Sequence, residues 1–144
     1  MLKRKYSIGL SQTANFAKDI AKELKGGEIL ALVGPLGSGK TTFTKALGKS
    51  LKVRDNIASP TFVLMNIFPA KTVYIPKGKN IYLYHLDLYR TKTFREVKAL
   101  GITEVWGKPN VVTVIEWADK ITKHLPKKTI SINFSHNSDA KEHL

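Results

Sequence analysis

A chain of 144 residues has the size of one domain, and its 42% apolar and 24% charged residues suffice for a buried core. No apolar run reaches the roughly 18–20 residues that span a bilayer, the basic start Met1–Tyr6 is not followed by a signal core, and the lack of cysteine excludes disulfides, thiolate chemistry and cysteine-based zinc sites. The formal net charge of +13 suits polyanions, yet 20 of the 24 basic residues are scattered lysines and only four are arginines, whose guanidinium fork reads phosphates and bases best.

In chain order, Ser11 is the expected cap of a helix carrying Ala14, Ala17, Ile20, Ala21 and Leu24 at helical spacing. Gly26-Gly27 ends it, because glycine accepts the left-handed conformation of a helix terminus. Glu28–Val33 is a nearly continuous apolar run, the pattern of a strand covered on both faces. A loop over Gly34–Gly39 follows, then a helix over Lys40–Leu51 with Phe43, Ala46, Leu47 and Leu51 inward. Thr61–Phe68 and Asn80–Leu86 read as strands. The linker between them carries Pro69, Pro76 and Lys77-Gly78-Lys79 and has no helical period, which predicts an antiparallel pair. Phe94–Leu100 is a short helix stopped by Gly101, Val111–Ile115 a buried strand, Ala118–His124 a short helix, and Thr129–Phe134 the last strand. The expected architecture is a three-layer α/β fold with a mostly parallel sheet and an antiparallel strand pair. Residues 1–134 would form one domain, with a polar tail over 135–144.

The segment Gly34-Pro35-Leu36-Gly37-Ser38-Gly39-Lys40-Thr41 fits G-x-x-x-x-G-K-[ST] at every position. Glycines let the backbone curl so that successive N–H groups point at phosphate oxygens, and the following helix adds the positive end of its dipole. The cradle is expected to comprise Pro35, Leu36, Gly37, Ser38 and Gly39 with Lys40, Thr41 and Thr42. Lys40 can bridge β- and γ-phosphates, and the Thr41 hydroxyl can sit on Mg²⁺. Chance produces such a match in roughly one chain of this length in 200, and here a buried strand precedes it and a helix follows, as the chemistry requires. The reading is a P-loop NTPase fold holding ATP and Mg²⁺.

Such a loop needs a carboxylate at the end of a neighbouring strand to hold the metal through its water shell. Asp87 closes one strand, sharing a face with Leu83 and His85 by period two, and Glu116 closes another. The residues do not rank them: either could hold metal while the other orients the attacking water. The four histidines lack metal-ligand spacing. Trp106 and Trp117 read first as core or interface residues. Arg90, three positions after Asp87, is equally suited to pairing with it or to a plain surface role.

With these motifs in view, the chain resembles the bacterial TsaE (YjeE) family of tRNA threonylcarbamoyladenosine biosynthesis. The resemblance rests on Leu32–Phe43 (LVGPLGSGKTTF), Ser59–Phe62 (SPTF), His85–Arg90 (HLDLYR), the Glu104-Val-Trp-Gly segment and Val114–Asp119 (VIEWAD), in the family's order over about residues 7–134. It implies that Thr61 belongs to a switch-like segment near the nucleotide, that Asp87 is the Mg²⁺-associated acid, and that Glu116 and Trp117 belong to the nucleotide region. It also implies an ATPase that assists a TsaB–TsaD pair, with tRNA met indirectly. Pro35 and Ser38 stand where the family loop usually has an acid and an alanine; the linker at Pro69–Asn80 is longer than usual, and Lys141 is the nearest basic residue to the family's C-terminal arginine. A small-molecule kinase and a nucleic-acid-binding switch are the competing functions on this fold. The first would need an arginine-bearing lid for which the chain has little material.

Overall fold

Glu28–Val33 has no polar face because its strand is covered from both sides. The computed structural model describes residues 4–55, 57, 65–72 and 80–136. Its sheet contains β1 (Arg4–Ile8), β2 (Ile29–Val33), β3 (Met65–Ala70), β4 (Ile81–Asp87), β5 (Val111–Glu116) and β6 (Ile130–Phe134). Their spatial order is β1-β6-β2-β5-β4-β3. All neighbours run parallel except β3 and β4, which are antiparallel as expected. From β2, Leu30 and Leu32 join one core with Phe16, Ile20, Phe43 and Leu47 of α1 (Thr13–Glu23) and α2 (Lys40–Ser50). Ile29 and Ala31 join another with Val97 of α3 (Phe94–Lys98), Ile102, Ile115 and Ile121. Helix, sheet and helix therefore make the three layers that the run of elements predicts.

Local chemistry explains where element boundaries depart from the sequence reading. β1 is not legible among the lysines of the first residues, but Tyr6 and Ile8 alternate inward, buried in the first core, and the strand pairs with β6. Ser11 does not cap α1. A 3-10 turn over Leu10–Gln12 precedes the helix, and the Gln12 side chain accepts from the Gly9 N–H at 2.7 Å. β3 continues through Pro69 to Ala70; proline is tolerated because β3 is the sheet's edge. Ala118–His124 is the short helix expected there, of the 3-10 kind and broken at Ile121 (φ −129°, ψ 20°). Gly26 and Gly27 both adopt positive φ, 103° and 98°, as a helix stop requires. Thr61 and the rest of Ser59–Phe62, residues 73–79 of the linker, and Lys141 lie outside the described residues. Among the described residues, no helix is long and apolar enough to cross a membrane.

This topology sets the stage for the site. β2, β5 and β4 are adjacent and parallel, so their carboxyl ends open on one side, where open α/β sheets receive ligands. The β4–β5 register pairs Asp87 with Glu116. Two carboxylates 29 positions apart in sequence are thereby brought beside the loop that leaves β2.

Candidate phosphate-binding site

The loop between β2 and α2 is built by steric exclusion as much as by hydrogen bonds. Gly37 and Gly39 hold φ of 76° and 109°, values that L side chains rarely adopt. A Cβ on Gly34 would come within 2.8 Å of Phe134 atoms and of Ser38 Oγ, so the loop can lie against β6 only with glycine there. Inside the turn, the Ser38 N–H donates to the Pro35 carbonyl at 3.2 Å. The Ser38 side chain is buried, with no partner for its hydroxyl among the described residues. Pro35 and Leu36 are exposed, and Pro35 removes one N–H from the cradle.

Lys40 is the most constrained cation of the site. It is 5% exposed, and its ammonium donates to the carbonyls of Gly34 at 2.5 Å and Pro35 at 2.8 Å. It also lies 4.0 Å from the centre of the Trp117 ring. Burial lowers its pKa, opposed by the negative charges of Glu116, Asp119 and Asp87. Carbonyls and an aromatic face are modest partners for an ammonium group, and phosphate oxygens are stronger acceptors. The lysine is held at the loop by contacts that an anionic ligand could replace.

Opposite it, the Thr41 hydroxyl donates to Glu116 Oε1 at 3.1 Å. The other carboxylate oxygen of Glu116 lies 2.6 Å from His85 Nε2. Glu116 is 2% exposed and His85 fully buried. Asp87 stands beside them in the sheet register, its Oδ1 accepting from the Tyr89 N–H at 3.0 Å. Burial raises the Asp87 pKa, and the neighbouring Glu116 charge adds to the rise; the Tyr89 N–H, His85 and Lys40 oppose it. The alternatives left open at the two strand ends thus become a geometric pair. Glu116 touches Thr41, whereas Asp87 is the more accessible acid beside it.

Trp117 comes to the site through a strained turn. It has φ 61° and ψ 38°, a left-handed conformation that costs a non-glycine residue roughly 1–2 kcal/mol. The turn ends β5 abruptly and lays the indole over Lys40 and against Tyr89, whose ring centre is 5.1 Å away. Lys120 fastens the two segments together by donating to the carbonyls of Tyr89 and Thr91.

These groups line one cavity of about 310 Å³: Leu36, Gly37, Gly39, Lys40, Thr41 and Thr42 on the loop side, with Asp87, Tyr89, Glu116 and Trp117 on the strand side and Leu10 at the lip. Of the sequence-derived residues, Pro35 and Ser38 shape the loop without lining the cavity, and Thr61 lies outside the described residues. Among the described residues, no arginine lines it. Three exposed large apolar residues, Leu10, Leu36 and Tyr89, ring its mouth. Among the described residues there is no cluster of three or more histidines, cysteines or acids able to bind a metal. The donor set instead suits a hard ion sharing its shell with phosphate and water: one hydroxyl and two carboxylates. His85 is the residue that sequence reasoning misses. Its place on one face with Asp87 is legible, but its lack of metal-ligand spacing sets it aside.

A glycine loop leaving a central parallel strand, with an acid closing the adjacent strand onto the loop's threonine, defines an α/β protein of the P-loop class. The family model for the threonylcarbamoyl adenosine biosynthesis protein TsaE matches residues 9–144. Among similar proteins, tRNA threonylcarbamoyladenosine biosynthesis protein TsaE of Treponema pallidum is 30% identical, over 96% of this chain and 95% of its own. Its Aquifex aeolicus namesake is 40% identical, over 75% and 71%. The crystal structure of Bacillus subtilis YdiB superposes with a TM-score of 0.59 at 30% identity, covering 88% of this chain and 73% of that one. The chain belongs to the TsaE family, and with it to tRNA threonylcarbamoyladenosine biosynthesis.

Proposed function

We propose that this protein is a Mg²⁺-dependent ATPase that assists a TsaB–TsaD complex in threonylcarbamoyl modification of the tRNA adenosine next to the anticodon, hydrolysing ATP slowly alone and faster when the partner docks. The observation that carries the reading is the Thr41–Glu116 hydrogen bond of 3.1 Å, because it joins the helix that receives phosphate to the strand that supplies the acid. In this reading the loop amides and Lys40 bind the triphosphate. Thr41 and Asp87 hold the metal, Glu116 orients the attacking water, and Thr61 senses the γ-phosphate. Mg²⁺, when bound there, would supply charge neutralisation on the transferred phosphoryl group.

Partner stimulation is supported by what the cavity lacks and by what surrounds it. Among the described residues no arginine lines it, while Leu10, Leu36 and Tyr89 leave an apolar rim exposed around the mouth. A partner seated on that rim would exclude water and could supply the missing cation; an arginine given in trans raises phosphoryl transfer by roughly 10³–10⁵. TsaB–TsaD enters as the partner through family resemblance. The deciding experiment measures ATP hydrolysis by the purified chain alone and with its cognate TsaB–TsaD pair. A low rate that rises sharply with the pair is expected. A rate indifferent to the pair would remove partner activation and turn the search to phosphate acceptors and tRNA.

A further inference from the structure

Histidine at position 85 is not the residue that packing alone would select. The site is fully buried, and β4 places it between Tyr84 and Leu86 in the interior of the sheet. An apolar side chain of similar size would fill the space and leave no polar atom to satisfy. The imidazole instead leaves Nδ1 buried with no partner among the described residues, a configuration that burial disfavours. What the ring makes is a single contact, 2.6 Å from Nε2 to Glu116 Oε2. An ionised carboxylate only accepts, so Nε2 must carry the proton.

We propose that His85 is a positioning residue for Glu116. It donates Nε2–H to Oε2 and so fixes the carboxylate plane, keeping Oε1 on the Thr41 hydroxyl. A glutamate has three side-chain torsions, and the last is a broad sp³–sp² rotor. Thr41 alone restrains one oxygen, while His85 and Thr41 together restrain both. The inference rests on the reading of Glu116 as the acid that orients water, and it adds the group that aims this acid. Its contribution belongs to turnover rather than to ATP affinity, since the loop amides and Lys40, not Glu116, are read as the groups that hold the triphosphate.

Two variants of the full chain and one spectrum test this. His85→Leu keeps the volume apolar, whereas His85→Gln offers an amide N–H that can reach the carboxylate. The leucine variant is expected to fold, to bind a fluorescent ATP analogue within about threefold of the parent, and to lose about tenfold or more in kcat. The glutamine variant is expected to regain most of that loss. Parent-like kcat in His85→Leu overturns the proposal, as does equal loss of kcat and ATP affinity in both variants. Nitrogen NMR of the nucleotide-free ¹⁵N-labelled chain reads the contact without any hydrolysis: a ring proton on Nε2 supports the proposal, and a ring protonated on Nδ1 alone overturns it. A chain that hydrolyses no ATP would defeat the proposed function, while the ring spectrum would still decide the His85–Glu116 contact.

Discussion

The two ends of α2 face two cavities, and the larger has the weaker claim to chemistry. At the N-terminal end, a space of about 310 Å³ gathers a buried lysine, a hydroxyl, two carboxylates and a strained tryptophan. At the C-terminal end, roughly 16 Å away by helical rise, a groove of about 750 Å³ is bordered by Lys18, Lys22, Lys49, Lys52 and Lys71 over a floor that includes Ala21 and Leu51. These lysines are all exposed, and none has an ion-pair partner among the described residues. At the first end the charged groups are aimed by others: Lys40 by carbonyls, Glu116 by Thr41 and His85. At the second, charge is plentiful but nothing converges. Volume and charge describe a surface, whereas fixed direction marks a candidate for catalysis.

The largest effect should come from the residue with the most constrained charge. Lys40→Ala is expected to weaken ATP binding by about 10²-fold or more, because hydrogen bonds to charged groups contribute about 1.5–3 kcal/mol each. Titration with a fluorescent analogue would measure it. The same variant removes a cation whose burial already disfavours its charge, so the nucleotide-free chain should unfold at the parent temperature or above it. Unchanged ATP affinity would break the contrast between the two ends. Next, Glu116→Gln should lower kcat by about 10²-fold with little change in ATP affinity. A matching loss of affinity would move Glu116 from orienting water to holding the nucleotide's metal.

Much of this contrast is legible in the sequence, and what escapes does so for identifiable reasons. Val33 ends an apolar run, Gly34–Thr41 follows at fixed spacing, and both acids sit at strand ends, so the parts of the site can be named. Their pairing cannot, because the contact from Thr41 to Glu116 spans 75 positions and depends on β5 lying next to β2. The sheet's order is a tertiary property that no local period encodes. His85 escapes for a related reason: period two gives its face, but only the β4–β5 register brings it to a carboxylate. β1 is obscured by Arg4 and Lys5, since an edge strand needs only every second residue to be apolar. The helical stretch Ala118–His124 lies where expected, but the left-handed Trp117 that precedes it is not announced by the sequence.

Asp87 gives an intermediate test, in which stability and function should move in opposite directions. Its pKa is raised chiefly by burial, so the folded chain binds that proton more tightly than the unfolded one. Protonation therefore favours folding. The penalty for the ionised form is complete above the folded pKa and is relieved as pH falls through it toward the ordinary value of 3.8. Asp87→Asn should raise the thermal midpoint of the metal-free chain at neutral pH, flatten this part of its pH dependence, and abolish most of the Mg²⁺-dependent hydrolysis. Full Mg²⁺-dependent turnover in this variant would transfer the metal role to Glu116.

The smallest effect is expected at the other end of the helix, and its smallness is the point. Lys49→Gln with Lys52→Gln removes two charges from the groove and leaves the hydrogen bonds at the candidate site untouched. Surface substitutions of this kind usually change stability by no more than about 0.5 kcal/mol, and basal ATP hydrolysis should stay at the parent rate. If the groove meets RNA in the course of tRNA modification, the double variant would bind a labelled tRNA more weakly. Its salt dependence would also be shallower, by roughly one unit of slope for each phosphate that the groove no longer neutralises. If the lysines are only a solvated surface, affinity for tRNA and its response to salt would match the parent. A fall in basal hydrolysis would contradict both readings, because it would require the two ends of α2 to be coupled along the helix.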